Sequence, residues 1–187
     1  MTISCVKFFS NECTALSEEK LPDVVLGVSA GVASTVMVCG LEQGIEGILT
    51  WFCSNPVQLQ EGISLLGSIN SISNLVVQVA LKVFVFAYAI FIGPWFEEFL
   101  FRGVLHDVLG GAAGSTALKV GRVVANGLIF GACHCIPWIG TPNISAFVVT
   151  SVMGMMFEGL RMWRGNRVAC TTAHMVHNGI AVGIMFI

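Results

Sequence analysis

Ile92-Gly93-Pro94-Trp95-Phe96-Glu97-Glu98-Phe99-Leu100-Phe101 sets two adjacent carboxylates inside an apolar run. Between Val83 and Phe101 there is no other charge, and the run is about the length of a bilayer-crossing helix, roughly 20 residues. Ionisable groups are expensive in hydrocarbon and usually mark a functional interior. Glu97 and Glu98 are therefore expected within the membrane, where a carboxylate must find a cation or hold a proton.

The rest of the chain agrees with a membrane setting. Of its 187 residues 55% are hydrophobic and 11% charged, and the mean hydropathy is +0.83, far from the roughly 25% charged residues of soluble domains. The net charge of -2 offers no basic surface, which sets nucleic-acid binding aside. Seven cysteines are an odd number without framework spacing, so Cys39, Cys53, Cys133 and Cys170 read as buried small hydrophobes. Lys7, Glu12, Glu18, Glu19 and Lys20 interrupt the start of the chain, and no cleaved signal peptide is expected.

Measured against bilayer thickness, the sequence predicts an all-α, polytopic transmembrane bundle of about five spans around a buried polar site. Val24 to Leu41 is the first, rich in small residues that suit close helix packing in lipid. Glu42 to Asn74 reads as an external loop with an interfacial stretch at Ile45 to Phe52 and a turn at Asn55-Pro56. Leu75 to Leu109 is a long helix bent at Gly93-Pro94 and ended by the glycines from Gly110 to Gly114. A third span runs from Lys119 and Arg122 to about Ile136, followed by a turn at Pro137, Gly140 and Pro142. Ile144 to Leu160 and Val168 to Ile187 complete the set. Two units follow: residues 1–74, with the first helix and external loop, and a catalytic helical core over 75–187.

Basic loops stay in the cytoplasm, so Lys119 to Arg122 and Arg161 to Arg167 are both expected inside. At about 1.5 Å per helical residue, Glu97 then lies about 20 Å deep, His134 about 18 Å, and His174 and Asn178 about 10 and 16 Å. Polar residues of three helices reach similar depths. Spacing adds a second constraint: Glu98 and Arg102 are four apart and can pair, whereas Glu97 points about 100° away. Phe130 with His134, and His174 with Asn178, each share a helix face.

In order along the chain, Glu97-Glu98 with Arg102, Phe130 with His134, and His174 with Asn178 resemble the EExxxR, FxxxH and HxxxN motifs of the CPBP family. These are the CAAX prenyl protease and bacteriocin-processing (Abi) intramembrane proteases. The resemblance runs from about Phe91 to the carboxyl end and includes Phe101-Arg102-Gly103. It implies hydrolysis of a peptide bond in a membrane-associated peptide or protein, in a cavity within the bilayer. By this resemblance Glu97 and His134 activate water, His174 and Asn178 stabilise the oxyanion, and Glu98, Arg102 and Phe130 support them. The expected location is the inner (plasma) membrane of a bacterium.

Those residue types suit amide hydrolysis on their own terms, since it needs a base for water and donors for the developing oxyanion. Zinc is the rival, because Glu97, His134 and His174 form a two-His, one-Glu set with His177 one turn from His174. No HExxH spacing occurs, so a metal-free glutamic mechanism is favoured and metal stays open. Taken singly, each group has a plainer reading. An intramembrane Glu-Arg pair is often a packing feature, His106 and Asp107 read as interfacial, His177 as a supporting residue, and Glu158 with Arg161 as an exposed pair. Cys133 and Cys135 point to either side of His134 and read as packing residues. A non-proteolytic scaffold or bacteriocin immunity protein of the same fold is the alternative, and a proton-coupled transporter is weakened by the lack of internal repeats.

Overall fold

A computed structural model describes residues 20–52, 67–135 and 144–184. Five helices dominate, and no strand occurs among the described residues. They are α1 (Leu21–Phe52), α2 (Leu75–Val108), α3 (Thr116–Cys135), α4 (Ile144–Arg164) and α5 (Val168–Ile184). Four of them, α1 to α4, are long and apolar enough to cross a bilayer, and α5 adds 17 residues. The protein is a helical membrane bundle, as the hydropathy demands. The expected turns at Asn55-Pro56 and at Pro137, Gly140 and Pro142 lie outside the described residues.

One boundary differs. The loop expected to begin at Glu42 is helical to Phe52, because no proline interrupts the chain between Pro22 and Pro56 and a glutamate does not itself stop a helix. Helix α2 starts where the Asn74 side chain accepts bonds from the amides of Val76 and Val77, at 3.1 and 3.2 Å. It does not merely bend at Pro94. Two π-helical turns, Tyr88–Ile92 and Phe99–Leu105, bracket an α-helical segment at Gly93–Glu98. Pro94 has no amide proton to give, and the wider turn before it lets the Gly93 amide bond Tyr88 O instead. Such bulges rotate the side chains that follow and concentrate at functional sites.

Small residues decide the packing. Helix α1 runs along α5, and α3 along α4. A Cβ on Gly31 would stand 2.6 Å from Ala173 O, and one on Gly131 would stand 2.0 Å from Ser151 Oγ and 2.7 Å from Phe147 O. With Gly27 and Gly127 one turn earlier, each contact uses two glycines four residues apart, the spacing that lets membrane helices approach backbone to backbone. The first pair lies in the small-residue span expected to pack closely; Gly127 and Gly131 are a second instance on α3.

Ends are tied by side chains. Arg122 of α3 bonds the carbonyls of Gly111 and Ala113, and Gly110, at φ 97°, turns back where a Cβ would meet that guanidinium. Asp23 at the start of α1 pairs with Arg164 and accepts from Asn166 Nδ2 at 2.7 Å. Asn166 also caps α5 by accepting from the Val168 amide. The core is Phe130, Met153, Phe157, Cys170 and Ala173, where α3, α4 and α5 meet. Cys170 is buried as expected, but Cys39 and Cys133 are exposed and face out of the bundle. Cys53 lies outside the described residues.

Candidate active site

Glu97 and Glu98 lie at the end of the α-helical segment between the two π turns of α2, and their side chains part. Glu98 is fully buried and Glu97 about a third exposed, at 32%. Glu98 meets Arg102, with Nη1 3.2 Å from Oε1, as the four-residue spacing predicts. Arg102 also donates from Nη2 to Gly154 O of α4 at 2.8 Å, and its guanidinium carbon lies 4.6 Å from the Phe130 ring centre and 5.6 Å from that of Phe157. Buried charge, carbonyl dipole and two aromatic faces together hold the cation in place.

Two imidazoles converge on Glu97. His134 Nε2 is 3.6 Å and His174 Nε2 3.7 Å from Oε2. Each ring is fixed from its other nitrogen. His134 Nδ1 bonds the Phe130 carbonyl at 2.8 Å, and since a carbonyl can only accept, Nδ1 carries the proton. His174 Nδ1 donates to Glu98 Oε1 at 2.9 Å. Both Nε2 atoms are thereby turned toward Glu97. Phe130 supports the two rings, with centroids 4.3 Å from His134 and 6.0 Å from His174. His174 is sealed at 3% exposure while His134 and Glu97 are each about one-third open, so the site has a closed side and an accessible side.

Over residues 79–180 the sequence matches the family model of the type II CAAX prenyl endopeptidase Rce1-like proteins. The chain belongs to that family. More than half of its length is matched, and the match spans every residue of the three motifs. No curated protein and no solved structure matches the chain. Rce1-like proteins are CAAX-type proteases, so this chain is an integral membrane protein of an intramembrane protease family that acts on peptide substrates.

Asn178, one turn beyond His174, donates from Nδ2 to Ala89 O at 2.9 Å, inside the first π turn. Its placement depends on the irregular backbone of α2. His177 points elsewhere, with Nδ1 3.2 Å from both Ser34 and Thr35 of α1. The two hydroxyls donate to Gly31 O, leaving them to accept from His177, which therefore ties α5 to α1. Among the described residues no set of three His, Cys, Asp or Glu side chains converges to hold a metal ion.

One expectation from the sequence is corrected here. Glu158 is buried at 1%, not exposed, and His106 is buried beside it. They bond each other at 2.5 Å between Nδ1 and Oε1, 52 residues apart. Arg161, instead of pairing openly with Glu158, donates from Nε to Arg102 O at 3.1 Å. Sequence spacing could not reveal these contacts, because a helix pattern reports neighbours on its own face and nothing of the facing helix. The Glu98 to His174 bond was missed for the same reason, and the motif order was the one available hint.

Proposed function

We propose that this protein is an endopeptidase that hydrolyses a peptide bond of a membrane-associated peptide or protein by a glutamate-activated water. The observation that carries the reading is Glu97 Oε2 standing opposite two Nε2 atoms whose rings are both anchored through Nδ1. Glu97 takes a proton from water as it attacks the scissile carbonyl, then passes it to the leaving amine. His134, sharing the accessible side, orients that water from Nε2. His174, when doubly protonated, donates Nε2–H to the developing oxyanion, with the Glu98 carboxylate orienting the ring as the buried aspartate does in serine-protease triads. An amide carries two N–H protons, so Asn178 can bond Ala89 and still offer the second to the oxyanion.

The metal-free mechanism is favoured on sequence grounds, since no HExxH spacing occurs, and Glu97, His134 and His174 remain a two-His, one-Glu set that zinc could use. The test compares membrane peptides from cells carrying the wild-type protein and Glu97→Gln, followed by cleavage of the identified peptide by purified protein in nanodiscs. Peptides that appear with wild type and vanish with the variant support hydrolysis. Identical peptide profiles, together with binding of an intact partner, would instead favour a non-proteolytic scaffold.

A further inference from the structure

Each π turn of α2 is tied by an asparagine from a neighbouring helix. Asn178 of α5 donates to Ala89 O in the first, and Asn126 of α3 donates from Nδ2 to Phe101 O in the second at 2.8 Å. Phe101 O also accepts the His106 amide across the wide turn, so Asn126 takes its second lone pair. The next carbonyl, Arg102 O, accepts from Arg161 Nε of α4 at 3.1 Å. Two successive carbonyls of one π turn are thus held by side chains from two different helices.

The helices that supply the imidazoles also supply the asparagines. Helix α3 brings His134 to Glu97 and, two turns earlier, Asn126 to the second π turn; α5 brings His174 to Glu97 and Asn178 to the first. Stability alone does not account for Asn126. It is fully buried, and its Oδ1 has no hydrogen-bond partner among the described residues, a cost that an apolar side chain of the same size would avoid.

We infer, on the reading of Glu97 as the base, that Asn126 and Arg161 are positioning residues, which set Glu97 against His134 by holding the second π turn of α2. An i→i+5 turn holds about one residue more than an α turn, a phase change of roughly 100°. Beyond that turn α2 is fixed on α4 by the His106–Glu158 bond, and before it stands Glu97. Relaxation of the π turn to regular α-helix would therefore rotate the glutamate relative to His134 while α2 stayed docked on α4. The two side-chain donors oppose that relaxation by fixing the carbonyls where the wide turn puts them.

Three measurements on the full chain in nanodiscs test this: cleavage of the peptide identified by the Glu97→Gln comparison, thermal melting, and imidazole nitrogen NMR of histidine-labelled protein. Asn126→Leu keeps the volume and removes the amide. It should melt near or above wild type while kcat falls roughly 10- to 100-fold, the cost of a misplaced catalytic group, with KM little changed. Arg161→Met should lower kcat in the same direction. Arg161→Gln, which restores an N–H donor at the position of Nε without the charge, should recover most of that loss. The His134 signal, assigned by its absence from His134→Gln, should move in Asn126→Leu and Arg161→Met toward its position in Glu97→Gln. Asp23→Ala, which breaks an ion pair at the bundle end, should leave that signal and kcat per folded molecule unchanged. Wild-type kcat with an unmoved His134 signal in Asn126→Leu and Arg161→Met would overturn the inference. So would an equal loss in Asp23→Ala, or failure of Arg161→Gln to recover what Arg161→Met loses. Continued cleavage by Glu97→Gln would instead count against the glutamate base, and the spectra, which need no turnover, read the Glu97–His134 geometry separately.

Discussion

His174 Nδ1 stands 2.9 Å from Glu98 Oε1, although the two residues are 76 apart in the chain. The second glutamate thus has two tasks: it neutralises Arg102 on its own helix and orients an imidazole on another. Its neighbour Glu97 is left to face that imidazole from the opposite nitrogen.

Glu97→Gln and Glu98→Gln should therefore differ in kind. Glu97→Gln removes the proposed base from a partly open position and should abolish hydrolysis with little change in melting temperature. Glu98→Gln strands Arg102 in a fully buried site, where losing one partner typically costs about 3 to 5 kcal/mol, and it also loosens His174. It should lower both stability and turnover, and adding Arg102→Gln should recover part of the stability but none of the turnover. Melting curves and peptide cleavage on all four proteins check this; equal unfolding of both single variants would contradict separate roles.

Asn178 joins the site to the first π turn through Ala89 O. Asn178→Ala should reduce kcat by about 100- to 1,000-fold, the usual effect of deleting one oxyanion donor, with a smaller change in KM. Asn178→Asp should be worse in stability, since an ionised carboxylate would set an acceptor against the Ala89 carbonyl. Steady-state cleavage and melting of the two variants separate donor loss from turn distortion.

Metal dependence distinguishes the two mechanisms open to this donor set. With Glu97 acting directly on water, purified protein should contain substoichiometric zinc by elemental analysis and keep its cleavage rate after exhaustive chelation. Activity lost to chelator and restored by zinc alone would assign the metalloprotease mechanism.

The buried His106–Glu158 bond should act on stability and not on chemistry. His106→Ala leaves a buried carboxyl without its partner and should cost about 1 to 3 kcal/mol, while Glu158→Gln keeps an acceptor for Nδ1–H and should cost less. A double-mutant cycle by denaturation in detergent should show coupling between them, with turnover per folded molecule near wild type.

Backbone contact between α3 and α4 predicts contrasting glycine substitutions on one helix. Gly131→Ala drives a methyl into Ser151 and the Phe147 carbonyl and should destabilise by about 1 to 3 kcal/mol or more. Gly121→Ala meets nothing within 4 Å and should be neutral, or stabilising by up to about 1 kcal/mol through helix propensity. Thermal melts of the two variants provide the check.

The sequence by itself determined the membrane setting, the helices and the polar residues that gather in the interior. Hydrocarbon tolerates only a backbone that satisfies its own hydrogen bonds, so runs such as Val83 to Phe101 have few alternatives, and the pairing of Glu98 with Arg102 follows from helical periodicity alone. The tertiary structure decided everything that crosses between helices. Which nitrogen of His174 meets Glu98, why His106 and Glu158 are buried together, and where Asn178 finds Ala89 all depend on how α2 seats against α4 and α5. Gly27, Gly31, Gly127 and Gly131 set how closely α1 meets α5 and α3 meets α4 around it. The π turns around Gly93–Glu98 add a rotation that no regular period contains, and the first arises where Pro94 removes one amide and the chain rebuilds its bonding around the gap.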